Sequence, residues 1–168
     1  MKLSATGSNR RIERHVVHVG VISDTHGKLR PEAVSALHGC ALILHAGDIG
    51  RAHVLDDLHH LSPRVVAVRG NVDAEWAADV PDRAALDVEG HRVLLLHDLA
   101  QLDLDPRASG IDVVVSGHSH RPRIERRDGV LYLNPGSAGP RRFRLPVAVA
   151  RLEVSRSRVD AVIVELDV

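Results

Sequence analysis

Apolar and polar positions along the first half of the chain fall into short runs separated by small-residue turns. Residues 16–22, "VVHVGVI", form a β-branched run that "SDTHG" breaks at once, and residues 41–44, "ALIL", form a second run ended by "HAGD". A third run follows at 65–68. Between them, residues 31–38 predict a short helix with Pro31 in its first turn and Gly39 at its end. "RAHVLDDLHHL" predicts another, with Val54, Leu55, Leu58 and Leu61 on one face. Strand, turn, helix, strand is the pattern of right-handed parallel crossovers covered by helices.

Beyond Pro81 the pattern changes to paired strands. "RAALDV" and "HRVLLLH" flank Glu89-Gly90 as a hairpin, residues 103–109 have helical character, and "IDVVVSG" gives a further strand. Asp128-Gly129 turns a second hairpin, and two long alternating strands meet at 155–157. The expected architecture is a mixed α/β domain of two sheets packed face to face with helices outside.

A length of 168 residues corresponds to one domain that buries roughly 70% of its unfolded surface. The polar, aperiodic residues 1–14 are expected to be a disordered tail, and 15–168 a single domain. Aromatic residues are only 2% of the chain, so the core must be built from Val, Leu, Ile and Ala. Lys and Arg balance Asp and Glu at 22 each, so neither nucleic acid nor an anionic membrane is the expected partner. With no signal-type apolar stretch and no run long enough to span a bilayer, the expected location is cytoplasmic. Cys40 stands alone, which excludes an intrachain disulfide or thiolate cluster and leaves any metal with nitrogen and oxygen ligands.

Such ligands recur where strands end. Asp24 and His26 lie in "SDTH", Asp48 in "AGDIG", Asn71 in "RGNVD", His97 after "VLLL", and His118 with His120 after "VVVSG". Ligands of α/β sheets bind at the carboxyl ends of strands, so a shared edge would gather these five loops. Two aspartates, one asparagine and four histidines exceed the three or four protein ligands of a single zinc site, whereas seven with a bridging carboxylate serve two ions about 3.5–4 Å apart. Asp48 is the expected bridge, because the preceding glycine lets the backbone approach. The D-x-H and H-x-H spacings would let both side chains of each pair point one way if the turn were extended. Histidines elsewhere, His45 among them, carry no ligand pattern and are expected to be structural. A serine nucleophile at Ser119 is disfavoured, since Arg121 stands where a nucleophile elbow needs glycine.

"DTH", "GD", "GN", a later strand-end histidine and "GHSH", in that order, resemble the calcineurin-like metallophosphoesterase superfamily. "GNVD", "GHSHRP" and "NPGS" are similar to its small prokaryotic phosphodiesterase branch. The resemblance implies a four-layer α-β-β-α sandwich of two mixed sheets. It implies one ion on Asp24, His26, Asp48 and His120 and a second on Asp48, Asn71, His97 and His118. Mixed N/O ligation suits divalent transition metals, manganese first and otherwise iron, zinc, nickel or cobalt. The implied activity is hydrolysis of small phosphodiesters by a hydroxide shared between the ions. Two positions depart from the family: Asp98 replaces a glycine after His97, and Val72 replaces a proton-donating histidine after Asn71. Asp73 is the substitute acid the sequence offers. Arg69, Arg121 and Arg141 lie near the motif loops and are candidates for phosphate contacts. The sequence leaves oligomeric state open, with the exposed edges of the C-terminal hairpin offering one route to a homodimer. The rival reading is a non-catalytic protein-interaction scaffold on the same fold, as in the retromer subunit that resembles this family.

Overall fold

The computed structural model describes residues 15–168, so the tail expected at 1–14 lies outside the described residues. Strand β1 (Val17–Ile22) leads through helix α1 (Pro31–Leu37) to β2 (Leu42–His45), and helix α2 (Ala52–Leu61) leads on to β3 (Val65–Ala67). The second half adds β4 (Arg83–Val88), β5 (His91–Leu96), β6 (Val113–Val115), β7 (Arg123–Arg127), β8 (Val130–Asn134), β9 (Ala148–Ser155) and β10 (Arg158–Glu165). These form two five-stranded sheets, in the orders β10-β9-β1-β2-β3 and β4-β5-β6-β8-β7. Both sheets are mixed. β1, β2 and β3 run parallel in the first, and β5, β6 and β8 run parallel in the second.

The inner faces of both sheets share one core. Val19, Val21, Leu42 and Leu44 from one sheet meet Val93, Leu95, Val113, Val115, Leu131 and Leu133 from the other. Alternate residues of the parallel strands are buried on the opposite face as well, which is why these segments read as continuous apolar runs. On the outer face of the first sheet, α1 and α2 bury Ala33, Leu37, Val54 and Leu58 against Ile22 and Ile43. The periodicity of "VLDDLHHL" is thus the packing stripe of α2.

The outer face of the second sheet is covered more thinly. A 3₁₀ turn at Leu99–Gln101 and the turns that follow it pack Leu99, Leu102 and Ile111 on Leu94, Leu96 and Val114. Residues 103–109, expected to be helical, form turns instead. Asp105 accepts a hydrogen bond from Ala108 N at 3.3 Å, and Ile111 N donates to Pro106 O at 2.8 Å. Asp, Pro, Ser and Gly in eight residues favour these local bonds over a helical ladder. Among the described residues no helix is long and apolar enough to cross a membrane.

Candidate metal centre

Because β1, β2, β3, β5 and β6 point the same way within their sheets, their carboxyl ends deliver the candidate ligands in five separate loops. The first two loops continue the parallel pairing past the strands. Asp24 N donates to Gly47 O at 3.0 Å, His26 N to Asp48 O at 3.0 Å and Gly27 N to Ile49 O at 2.7 Å. Within the second sheet Gly117 N donates to His97 O at 2.9 Å, and between the sheets His118 N donates to the Asp24 carboxylate at 3.2 Å.

Five of the seven candidate ligands have left-handed backbone rather than the extended conformation expected for their spacing: Asp24 (φ 54), His26 (φ 47), Asp48 (φ 52), His118 (φ 68) and His120 (φ 59). Asp and His tolerate this region better than most side chains, yet each such residue carries about 1–3 kcal/mol of strain. Turn geometry, not strand alternation, brings Asp24 and His26 to one cluster, while His120 turns toward His26 and His118 toward His97.

The ligand atoms of Asp24, His26, Asp48 and His120 all lie within 4.8 Å of one another. Asp24, Asp48 and His120 are buried. Each aspartate is held by one oxygen and leaves the other facing the cluster's nitrogens. Asp24 Oδ2 accepts from Ser23 Oγ at 2.6 Å, while its Oδ1 is 3.2 Å from His120 Nε2. Asp48 Oδ1 accepts from Val72 N at 3.0 Å, while its Oδ2 is 3.8 Å from His26 Nε2 and 3.3 Å from His97 Nε2. Asp48 thereby touches both ligand sets that the sequence motifs define. Gly47 is required for this approach: it has φ 95, and a Cβ there would meet His97 Nδ1 at 2.7 Å.

His97 Nδ1 lies 2.7 Å from Ala46 O, an acceptor only, so that nitrogen carries the hydrogen and Nε2 presents its lone pair. The rings of His97 and His118 stand edge-on with centroids 5.2 Å apart, and His97 shares a cleft with the exposed Asn71. His118 is half exposed, and its Nε2 is 3.8 Å from Asp98 Oδ2. Asp98 also accepts from Ala100 N at 3.0 Å, so the residue in the family's glycine position caps the 3₁₀ turn.

Buried polar atoms without hydrogen-bond partners test whether these residues suit a metal. Among the described residues they include Asp24 Oδ1, His26 Nε2, His97 Nε2 and His120 Nδ1, three of them in the group whose ligand atoms cluster. Unsatisfied buried polar atoms cost about 1–3 kcal/mol each, and a divalent cation in the cluster would satisfy Asp24 Oδ1 and His26 Nε2 together. The donor set therefore fits. Burial raises the pKa of Asp48, but the adjacent His97, Val72 N–H and His26 outweigh it and bring the carboxyl down to about 2. Burial depresses His97 and is outweighed in turn by the Asp48 carboxylate and the Ala46 carbonyl, so its pKa is raised. Burial prevails at His26, where the pKa falls despite Asp48 and Asp24.

Asp73 does not present a free carboxyl. Its Oδ2 accepts from Ile49 N at 3.1 Å and Gly70 N at 2.8 Å, and its Oδ1 accepts from Gly50 N at 2.8 Å, tying the Asp48 loop to the Asn71 loop. Of the candidate arginines, Arg69 pairs with Asp82 at 2.8 Å and Arg141 donates to Val168 O at 2.9 Å, while Arg121 lines a cavity beside His118. The sequence reading missed the scaffolding under the ligands. His45 is fully buried, with Nε2 3.0 Å from Thr25 Oγ1 and Nδ1 accepting from Gly47 N at 3.2 Å. Ser137 Oγ donates to Asp24 O at 3.0 Å. The legible signal was the pair of hydroxyl residues flanking Asp24 in "SDTH".

A family model described as the calcineurin-like phosphoesterase superfamily domain matches residues 17–157. A probable metallophosphoesterase of Methanothermobacter thermautotrophicus is 37% identical over 158 residues, covering 87% of this chain and 91% of the relative. A phosphodiesterase of Methanocaldococcus jannaschii is 27% identical over 137 residues, covering 70% of this chain and 82% of the relative. Among solved structures, vacuolar protein sorting 29 from Cryptosporidium parvum shares the fold with a TM-score of 0.73 at 18% identity, covering 91% of this chain and 99% of that one. Matched by the family model over residues 17–157 and by a 37% identical relative over most of both chains, this chain belongs to the calcineurin-like phosphoesterase superfamily.

Proposed function

We propose that the protein is a dinuclear-metal phosphodiesterase acting on small phosphodiesters. The observation that carries this reading is the position of Asp48 Oδ2, within 3.8 Å of His26 Nε2 and 3.3 Å of His97 Nε2, with both nitrogens buried and unpartnered. Asp24, His26, Asp48 and His120 would hold one ion and Asp48, Asn71, His97 and His118 the other. Two such ions, manganese first among the candidates, supply acidification of a shared water and charge stabilisation at phosphorus.

The chain's own residues prepare that site. Ala46 O fixes the His97 tautomer, and Ser23 with His118 N fixes one oxygen of Asp24 so that the other stays available. Asn71 offers a neutral amide oxygen and the histidines neutral nitrogens, so the ligand shell adds negative charge only at Asp24 and Asp48. Asp73 serves as a brace between two ligand loops rather than as an acid, since three backbone N–H groups engage both its oxygens. With Val72 after Asn71 and Asp73 so engaged, no side chain next to Asn71 is poised to protonate a leaving oxygen. Diesters with good leaving groups are therefore the favoured substrates.

The test is to strip the protein with a chelator and reload it with manganese, iron, zinc, nickel or cobalt. Metal per chain is then measured alongside hydrolysis of bis(p-nitrophenyl) phosphate and p-nitrophenyl phosphate. Two ions per chain and faster diester cleavage are expected. Two ions without turnover of either ester under any metal would instead favour the interaction-scaffold reading.

A further inference from the structure

The thin cover over the second sheet leaves one end of its outer face open, next to His118. There a cavity of about 240 Å³ is lined by His118 and Asp98 on one side and by β7 and β8 on the other. Along β7, Arg123, Glu125 and Arg127 alternate onto one face. The register places Glu125 opposite Tyr132 and Arg123 opposite Asn134, so all five side chains share that face. Glu125 pairs with Arg123, and with Arg127 at 3.3 Å. Arg127 is thereby laid over the Tyr132 ring, 4.2 Å from its centroid. Arg121, on the same wall, has no carboxylate partner among the described residues.

A guanidinium is planar and delocalised, and one held over a phenol ring offers a surface on which another ring can stack. Leu99 adds an apolar lining, and the arginines give the rim a positive field suited to an anionic ester. Pockets that enclose a whole drug-sized ligand measure about 300–1,000 Å³, so this one holds a single substituent. His118, a candidate ligand, also lines this cavity, so the cavity opens beside the proposed metal centre.

We infer that this cavity is a subsite for a planar ring carried on one ester arm of the substrate, a nucleobase or an aryl group, with Arg127 and Tyr132 as its stacking platform. The inference rests on the phosphoesterase reading above and specifies the substrate class of that same site.

The test titrates manganese-loaded protein with inorganic phosphate, phenyl phosphate and a nucleoside 5′-monophosphate by calorimetry, with bis(p-nitrophenyl) phosphate hydrolysis measured in parallel. Ring-bearing esters are expected to bind about tenfold more tightly than phosphate, the scale of one stacked ring. In Arg127→Ala and Tyr132→Leu the ring-bearing affinity should fall to that of phosphate. The leucine variant keeps the apolar contact beneath Tyr132, and Arg127 is a surface side chain, so either serves if the other misfolds. Whichever ring binds more tightly identifies the arm, and either upholds the subsite. Hydrolysis of the diester combined with equal affinities for all three ligands, or a ring preference untouched in both variants, overturns the subsite while leaving the phosphodiesterase reading intact. A ring preference lost in the variants of a protein that hydrolyses no ester overturns the enzymatic reading and keeps the subsite.

Discussion

Gly70 lies flush against Asp48: a Cβ on Gly70 would fall 2.2 Å from both the nitrogen and Oδ1 of Asp48. The loops after β2 and β3 therefore meet with no space for even a methyl group, and the residue displaced by one would be the carboxylate common to both ligand sets. Gly70→Ala is expected to shift Asp48 by a fraction of an ångström to an ångström. That should lower kcat/KM for a phosphodiester by about 10²-fold, the usual cost of a misplaced catalytic group. Metal content should fall with it while far-UV circular dichroism is retained. Wild-type metal content and rate in the variant would show that the two loops can separate freely.

Asp73→Asn separates a brace from an acid. The substitution leaves one oxygen to serve three backbone donors, Ile49, Gly50 and Gly70, and turns an amide N–H toward one of them. Loss of charge-assisted bonds of this kind lowers unfolding free energy by about 2 kcal/mol, readable by denaturant titration. The slope of log kcat against leaving-group pKa should stay as in the wild type. A steeper slope in the variant would return Asp73 to the role of general acid.

What the sequence made legible follows from where physics is local. Strand ends at Asp24, Asp48, Asn71, His97 and His118 are marked by short apolar runs, all but the one before His97 followed by Ser or Gly, so both the crossover topology and the shared edge could be read directly. The sandwich order, by contrast, depends on which sheet β9 joins, and no local pattern encodes its antiparallel pairing with β1. Left-handed backbone at His118 and His120 was invisible because nothing in "GHSH" distinguishes it from an extended turn. Asp73 looked like a spare acid in "GNVD" because its three partners are backbone amides, which carry no sequence signature. The helix anticipated at 103–109 failed for the opposite reason: its residues bond to their own backbone, and no neighbouring element imposes a helix on them.

His45 links stability to pH. Burial outweighs the attraction of nearby carboxylates and brings its pKa from 6.5 down to about 4, so the native ring stays neutral where the unfolded chain takes up a proton. Because the folded value is the lower one, this contribution is complete above pH 6.5 and is lost as pH falls toward about 4. Between pH 7.5 and 4.5 the loss should amount to about 2–3 kcal/mol. His45→Gln removes the titration. Denaturant unfolding of both proteins in chelator should show the variant less stable at pH 7.5, where Thr25 and Gly47 lose a partner, but less sensitive to acid. Equal acid sensitivity in the two proteins would mean that His45 is protonated in the native state.

The proposed division of ligands between two ions predicts unequal effects of three substitutions. His120 clusters with Asp24, His26 and Asp48, the proposed second set is Asn71, His97 and His118 with Asp48, and Asp48 Oδ2 lies 3.8 Å from His26 Nε2 and 3.3 Å from His97 Nε2. His120→Ala and His97→Ala should each reduce bound metal from two ions to one, and Asp48→Asn should weaken both sites. The Asp48 substitution halves the carboxylate's ligating oxygens and removes a charge that sits beside two histidines. Since two-ion charge stabilisation is worth several kcal/mol, each variant is expected to lose at least about 10³-fold in kcat/KM. Metal analysis after dialysis distinguishes this from a single shared site, which would hold one ion in the wild type and leave neither histidine variant with a full equivalent.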